Sequence, residues 1–79
     1  VVAVRTITLA AADWESYSQT VEVEDVTANN GVLVCAAPGS QTDAMTYGVN
    51  CVSQGADELT FACQSTPSSD ITIYVMIVG

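Results

Sequence analysis

Histidine and lysine are absent from this 79-residue sequence, and Arg5 is the only cationic side chain against nine carboxylates, for a formal net charge of -8. Without histidine, no Ser-His or Cys-His nucleophilic pair can form, and the usual cationic clamps for an oxyanion are also missing. Nucleic acid and anionic membrane surfaces are bound through clustered cations, so neither is an expected partner. We therefore expect a protein that is not an enzyme.

Long hydrophobic runs and metal-binding motifs are also missing. The apolar stretch at residues 71–78 is far shorter than the roughly 20 residues of a membrane-spanning helix, so we expect no membrane insertion. No CxxC pair, calcium loop or Gly-rich phosphate loop is present, and we expect no cofactor and no metal. Glu22 and Glu24 are interpreted as the solvated face of a strand, although a metal site or a glycosidase would use a similar carboxylate pair.

Short β-branched segments bounded by Asn, Gly, Pro, Asp or Ser make up most of the chain, and this pattern is typical of strands. Within residues 20–24, valines alternate with polar residues, which indicates an antiparallel sheet with one solvated face. The predicted strands are residues 3–10, 18–25, 31–37, 47–53, 58–63 and 71–78.

Turn signals separate these strands. The Asn-Gly step in residues 27–31 predicts a hairpin between the second and third strands, and residues 55–58 predict another between the fourth and fifth. Ser40 followed by Asp43 resembles a capping box and predicts a short helix over residues 41–47. The expected fold is all-β, a small antiparallel β-sandwich or partly open barrel of about six strands with one short helix between strands 3 and 4.

The cysteines have an informative spacing. If the second hairpin turns about Asp57, Cys51 and Cys63 lie opposite each other, and a directly opposed pair comes within disulfide range. The two residues are therefore a disulfide candidate, with two buried free thiols as the alternative. Cys35, left without a partner, is interpreted as a filler of the core, although an unpaired cysteine also permits a link between chains.

The last predicted strand is apolar on both of its faces. Ile71, Ile73, Val75 and Ile77 point to one face, and Thr72, Tyr74, Met76 and Val78 point to the other. A chain this small has little material with which to cover the second face, so we expect copies of the protein to cover it for one another in a closed trimer. The alternative is that the helix at residues 41–47 packs on that face.

Aromatic residues are the candidates for ligand contact. Trp14 and Tyr17 lie in the connector between the first two strands, beside the carboxylates of Asp13 and Glu15. Flat aromatic faces next to hydrogen-bond acceptors suit a sugar or a protein ligand. The competing interpretation is that Trp14 closes one end of the sandwich as part of the core.

The run "TITLAAADWESYSQTVEVEDVTANNGVLVCAAP" followed by "YGVNCVSQGADELTFACQSTPSSDITIYVMIV" resembles the C-terminal knob domain of bacteriophage fibre-type virion proteins, over nearly the whole chain. The resemblance implies a single β domain over residues 1–79 that forms the C-terminal part of a longer chain, after a shaft segment that this sequence does not include. It also matches Cys51 and Cys63 to the paired cysteines of the family's hairpin.

The resemblance implies that the protein is a homotrimeric head or tail fibre knob, which is made in the bacterial cytoplasm and exposed on the virion surface. Its expected partners are other virion proteins and a glycan or protein on the host cell, contacted through the loops at residues 11–17, 38–46 and 64–70. Two other classes fit the residues: a capsid decoration domain or extracellular filament subunit without a ligand, and a small secreted carbohydrate-binding module.

Overall fold

The computed structural model describes residues 2–78 and contains six strands, which are numbered in chain order. Their bounds are β1 Val2–Leu9, β2 Ser18–Glu22, β3 Gly31–Ala36, β4 Asn50–Gly55, β5 Glu58–Ala62 and β6 Ile71–Val78. One α-helix, α1, covers Gln41–Tyr47. Short 3₁₀ turns at Ala11–Asp13 and Pro38–Ser40 precede β2 and α1.

The strands form two antiparallel sheets of three strands each. The first sheet has the order β1-β6-β3 and the second has the order β2-β5-β4. The small all-β fold predicted from the sequence, with one helix between the third and fourth strands, is confirmed. The arrangement is an open sandwich rather than a closed barrel, because the described strands leave both edges of each sheet unpaired.

The core lies between the two sheets and depends on alternation along β6. Its inward row of Ile71, Ile73, Val75 and Ile77 is buried to 4% exposure or less. Leu59 and Phe61 of β5 face this row from the second sheet and are equally buried. Because β5 and β6 are the central strands of their sheets, their inward side chains are covered from both sides as well as from across the sandwich.

The hairpin predicted between the second and third strands is wrong. β2 and β3 belong to different sheets, and the segment between them crosses from one sheet to the other. Val23 and Val26 in this segment are buried in the core, which fixes the crossing. In this segment a positive φ is found at Asp25 and not at Asn30 or Gly31.

The predicted helix is confirmed, although not its cap. The Ser40 side chain makes no cap hydrogen bond, and its Oγ instead accepts a hydrogen bond of 3.0 Å from the backbone N–H of Thr72. Ser40 therefore ties the start of the helix to β6. Gly48 caps the C-terminal end of the helix. It has φ of 64°, and the Gln64 side chain is so close that a Cβ atom at this position would clash.

The hairpin between β4 and β5 is confirmed, but the predicted opposition of Cys51 and Cys63 is wrong. The turn is centred between Ala56 and Asp57, half a residue before the predicted centre, and a bulge after Cys51 shifts the register again. Cys51 consequently lies opposite Phe61, two residues from Cys63 along the strand. Diagonal neighbours of this kind are about 7 to 8 Å apart, too far for a disulfide. All three cysteines are free thiols in the structure, and Cys35 is exposed, so its interpretation as a filler of the core is wrong.

We predict that the three thiols react with iodoacetamide in the folded protein in the order Cys35, Cys51, Cys63. Cys35 is exposed and Cys51 partly buried, whereas burial raises the pKa of the Cys63 thiol and so lowers its thiolate fraction. Peptide mass mapping after timed labelling measures the order, and the protein unfolded in denaturant is the control. A linked Cys51–Cys63 peptide in the unreduced protein would contradict the register described above.

Candidate assembly face and loop end

The outward row of β6 contains the residues that the sequence marked as an oligomer interface. Tyr74, Met76 and Val78 are 39%, 40% and 43% exposed, and Thr72 at the start of the row is half-buried. The described residues include no element packed over this row. The second face of β6 is therefore open in the monomer.

Neighbouring strands extend this row into a surface. In the sheet register, Met76 lies between Val4 of β1 and Leu33 of β3, which are 56% and 64% exposed. Tyr74 lies in the same way between Thr6 and Cys35. We call the resulting surface the outer face; it consists of Val4, Thr6, Thr8, Leu33, Cys35, Thr72, Tyr74, Met76 and Val78.

The outer face has no charged side chain, although the chain is strongly acidic. None of the nine carboxylates belongs to β1, β3 or β6. Arg5 of β1 points to the other side of the sheet, where its guanidinium is 2.7 Å from the carboxylate of Asp25. Approach of another copy to this face therefore brings no carboxylates of the two faces into direct opposition.

The alternative that α1 covers the outer face is wrong. The helix lies at one end of the sandwich, where Ala44 and Val49 line a cleft beside Ala36. Its last residue, Tyr47, donates to or accepts from Ser68 Oγ at 2.9 Å, in the connection before β6. These contacts keep the helix near the strand ends and away from the outward row of β6.

The three loops predicted to contact a ligand are brought together by the fold. The connections β1 to β2, β3 to β4 and β5 to β6 all cross between the sheets at the same end of the sandwich. Asp70 Oδ1 accepts a hydrogen bond of 2.8 Å from Ala11 N–H, and Asp43 Oδ2 accepts one of 3.2 Å from Ser69 Oγ. We call this surface the loop end; it contains residues 10–17, 37–49 and 63–70.

The two aromatic candidates for ligand contact, Trp14 and Tyr17, differ in their exposure at the loop end. Trp14 is only 9% exposed and belongs to the core cluster, so its ring is not available as a ligand platform. Its indole N–H is buried without a hydrogen-bond partner in the described part of the chain. Tyr17 is 57% exposed, with φ of 65°, and its carbonyl accepts a hydrogen bond from Cys63 N–H. Of the pair, Tyr17 is the residue that can touch a ligand.

Glu22 and Glu24 lie at the opposite end of the molecule, but only Glu22 belongs to β2, so the prediction that both lie on one strand face is wrong. Glu22 is exposed and pairs with Glu58 across the sheet, next to the β4–β5 turn, and Glu24 is exposed in the segment that follows. Within residues 2–78, no three His, Cys, Asp or Glu side chains form a group that could hold a metal ion. No described helix has the length and apolar character needed to cross a membrane.

Sequence reasoning missed Val4 and Leu33 as members of the outer face. Both occupy alternate positions in apolar strands, so the period-two pattern identified them as belonging to one face of their own strand. That pattern does not reveal that β1 and β3 flank β6, which is a consequence of the sheet order.

Comparison of the chain with protein-family models, with curated proteins and with solved structures finds no match.

We predict that Trp14→Ala destabilises the fold by about 3 kcal/mol or more, because it removes a large buried side chain and leaves a cavity. Tyr17→Ala is the control, since it truncates an exposed aromatic ring in the same loop and should change stability by less than about 0.5 kcal/mol. Urea unfolding followed by circular dichroism measures both. Equal stability of the two variants would place Trp14 outside the core.

Proposed function

We propose that this protein is a non-enzymatic structural domain of a bacteriophage virion, a fibre-type knob that assembles as a homotrimer and is exposed on the particle. The outer face is the observation that carries the assembly part of the proposal. It is uncharged and open across three strands, with exposed Val4, Leu33, Tyr74, Met76 and Val78 beside three threonines, in a chain with a formal net charge of -8. The largest apolar patch on a protein surface, typically about 300 to 600 Å², is often functional.

The size of the outer face fits a subunit that is held near its neighbours. Strands of eight residues are about 25 Å long, and three strands side by side are about 14 Å wide, so the face covers roughly 350 Å². A stable interface between two free proteins buries about 800 Å² on each partner. Tethering of the chains through a common shaft raises their effective concentration to the millimolar range, at which a smaller interface suffices.

The loop end supports the attachment part of the proposal. It lies at the strand ends, so contacts there leave the outer face free for assembly. Its exposed residues include Tyr17, the carboxylates of Asp13 and Glu15, and the hydroxyl groups of the segment before β6. Carboxylates and hydroxyl groups beside an exposed aromatic ring are suited to hydrogen bonding and stacking with a host-surface glycan.

The other classes predicted from the sequence receive less support. A secreted carbohydrate-binding module was expected to present Trp14, and the buried position of that ring removes its principal contact. A decoration domain or filament subunit without a ligand would use the outer face in the same way as a fibre knob. It differs in having no binding activity at the loop end.

We predict that Tyr74→Glu converts the self-associated protein to a monomer, because it places a carboxylate in the centre of an apolar interface. Tyr17→Glu is the matched control, since it makes the same substitution at an exposed tyrosine outside the outer face. Sedimentation equilibrium over a concentration series measures the mass of all three proteins. We expect the parent and Tyr17→Glu to approach a trimer at high concentration.

Either of two outcomes would contradict assembly through the outer face. The first is a parent protein that remains monomeric up to millimolar concentration, the range that tethering provides. The second is a Tyr74→Glu variant that associates as strongly as Tyr17→Glu while circular dichroism shows both to be folded.

We predict that fluorescently labelled protein adsorbs to cells of the bacterial host and that Tyr17→Ala reduces this adsorption about tenfold, as expected for loss of one aromatic contact of about 1.4 kcal/mol. Met45→Ala is a control, because Met45 is an exposed side chain of α1 that lies within the loop end but has no aromatic ring. Adsorption by neither the parent nor the variants to any host would favour a purely structural role.

A further inference from the structure

Within residues 2–78, three of the four free sheet edges carry a feature that discourages pairing with another strand. β1 has the inward-pointing charge of Arg5, β2 is only five residues long and ends in the exposed Glu22, and β4 contains a bulge between Cys51 and Ser53. Charged residues, short strands and bulges are the usual protections of an edge strand. The free edges of β1, β2 and β4 are therefore protected against pairing, whereas the edge of β3 is not.

Strand β3 has none of these protections. Its sequence GVLVCA contains no charge and no proline, and its register with β6 is regular over Gly31–Ala36. The backbone N–H of Ala37 donates to Thr72 of β6 at 2.9 Å, and the direction of the peptide groups alternates along a strand. The N–H and C=O groups of Val32, Val34 and Ala36 accordingly face the open edge. The β3–β6 ladder uses the N–H and C=O groups of the alternate residues. No other hydrogen bond described for residues 2–78 uses those of Val32, Val34 and Ala36.

An uncharged cleft lies beside this edge. It has a volume of about 610 Å³ and lies between β3, which contributes Val32 and Val34, and β4, whose lining residues include Cys51 and Val52 and the polar residues Asn50, Ser53 and Gln54. Val52 is exposed, and Phe61 forms part of the floor. No charged side chain lines the cleft among the described residues. The sandwich is thus incompletely closed on the side where its edge strand is unprotected.

We propose that β3 pairs with β3 of a second copy of this chain, in antiparallel orientation, so that two sheets of three strands become one sheet of six. The occupant is a second copy because the edge and the cleft carry no charge in a chain with nine carboxylates and one cationic side chain. No carboxylate belongs to β3 or lines the cleft, so these surfaces of two strongly acidic molecules can meet without directly opposed carboxylates. Pairing also places the two clefts side by side, so that each is covered by uncharged residues of the partner.

The alternation of side chains fixes the register of this pair. A two-fold axis perpendicular to the sheet keeps the outer faces on the same side, so residues that face each other have both odd or both even numbers. Only a pair centred on Val34 uses all three free backbone positions, with Val34 opposite Val34 and Val32 opposite Ala36. In that register, Leu33 of one copy lies opposite Cys35 of the other in a non-hydrogen-bonded pair, whose Cα atoms are about 4.5 Å apart.

This interface is separate from the one in the proposed function, which uses the outer face rather than the β3 edge. The experiment is therefore made in the Tyr74→Glu background, where association through the outer face is removed. A failure of edge pairing leaves the trimer proposal unaffected, and a failure of the trimer leaves edge pairing to be tested independently.

The test is oxidative cross-linking of Leu33→Cys, with Cys35 retained, by oxidised glutathione. In each bond, two thiols lose two protons and two electrons, and one oxidised glutathione becomes two reduced molecules. We expect a covalent dimer on a non-reducing gel, in which linked peptides join the introduced thiol of one chain to Cys35 of the other, with at least about tenfold more dimer than in the control. The control is the double variant Leu33→Cys, Cys35→Ser. In this variant the introduced cysteine lies opposite the serine at position 35 of the other copy, and the two introduced cysteines are diagonal neighbours rather than directly opposed.

A second pair of variants tests the backbone contribution. Val34→Pro removes one N–H group that faces the open edge, and proline is tolerated on edge strands at such positions. Val34→Ala shortens the same side chain and keeps the N–H. We expect Val34→Pro, folded by circular dichroism, to lose the dimer of the Leu33→Cys protein, and Val34→Ala to retain most of it.

Three results would overturn the proposal. One is the absence of covalent dimer in folded Leu33→Cys protein. Another is equal cross-linking in the Cys35→Ser control, which would indicate a different register or random collision. The third is an unchanged dimer yield in Val34→Pro, which would show that contact between copies does not use the edge of β3.

Discussion

Strand β6 is apolar on both of its faces, and most of the architecture follows from this constraint. Its inward row is buried by the second sheet, and its central position between β1 and β3 satisfies its backbone on both edges. Residues 2–78 place no third layer over the outward row, as expected of a domain that buries only roughly 60% of the surface that its unfolded form exposes. This row is therefore available to another molecule.

The distribution of charge is the second constraint, and it separates the surfaces of the molecule. Four carboxylates lie at the loop end and five lie near the opposite end, whereas the three strands of the first sheet contain none. Mutual repulsion between copies is thereby directed to the two ends of the sandwich. The outer face and the β3 edge are left as the regions where copies can meet at low electrostatic cost.

The sequence was sufficient for the elements and insufficient for their arrangement. Short β-branched segments bounded by turn residues located all six strands, and the segment around Ser40 located α1, because both signals are local. The prediction of a hairpin at the Asn-Gly step was wrong, because burial of Val23 and Val26 in the core stabilises the fold more than a tight turn at that step would. The bulge after Cys51 and the placement of Val4 and Leu33 beside Met76 depend on sheet order and register, which no short window of sequence contains.

The two proposed interfaces have different consequences for assembly, because they differ in geometry. Association through the outer face closes on itself around an axis and produces a compact oligomer. Pairing of β3 edges joins two molecules side by side and brings their two outer faces into one continuous surface. If both operate, each edge-paired dimer presents two outer faces, and packing between dimers generates a lattice or a bundle rather than an isolated knob. The outer face alone gives an isolated oligomer, as in the proposed fibre knob, whereas the combination gives a repeated array. The relative strength of the β3 edge and the outer face therefore determines which kind of assembly this chain can build.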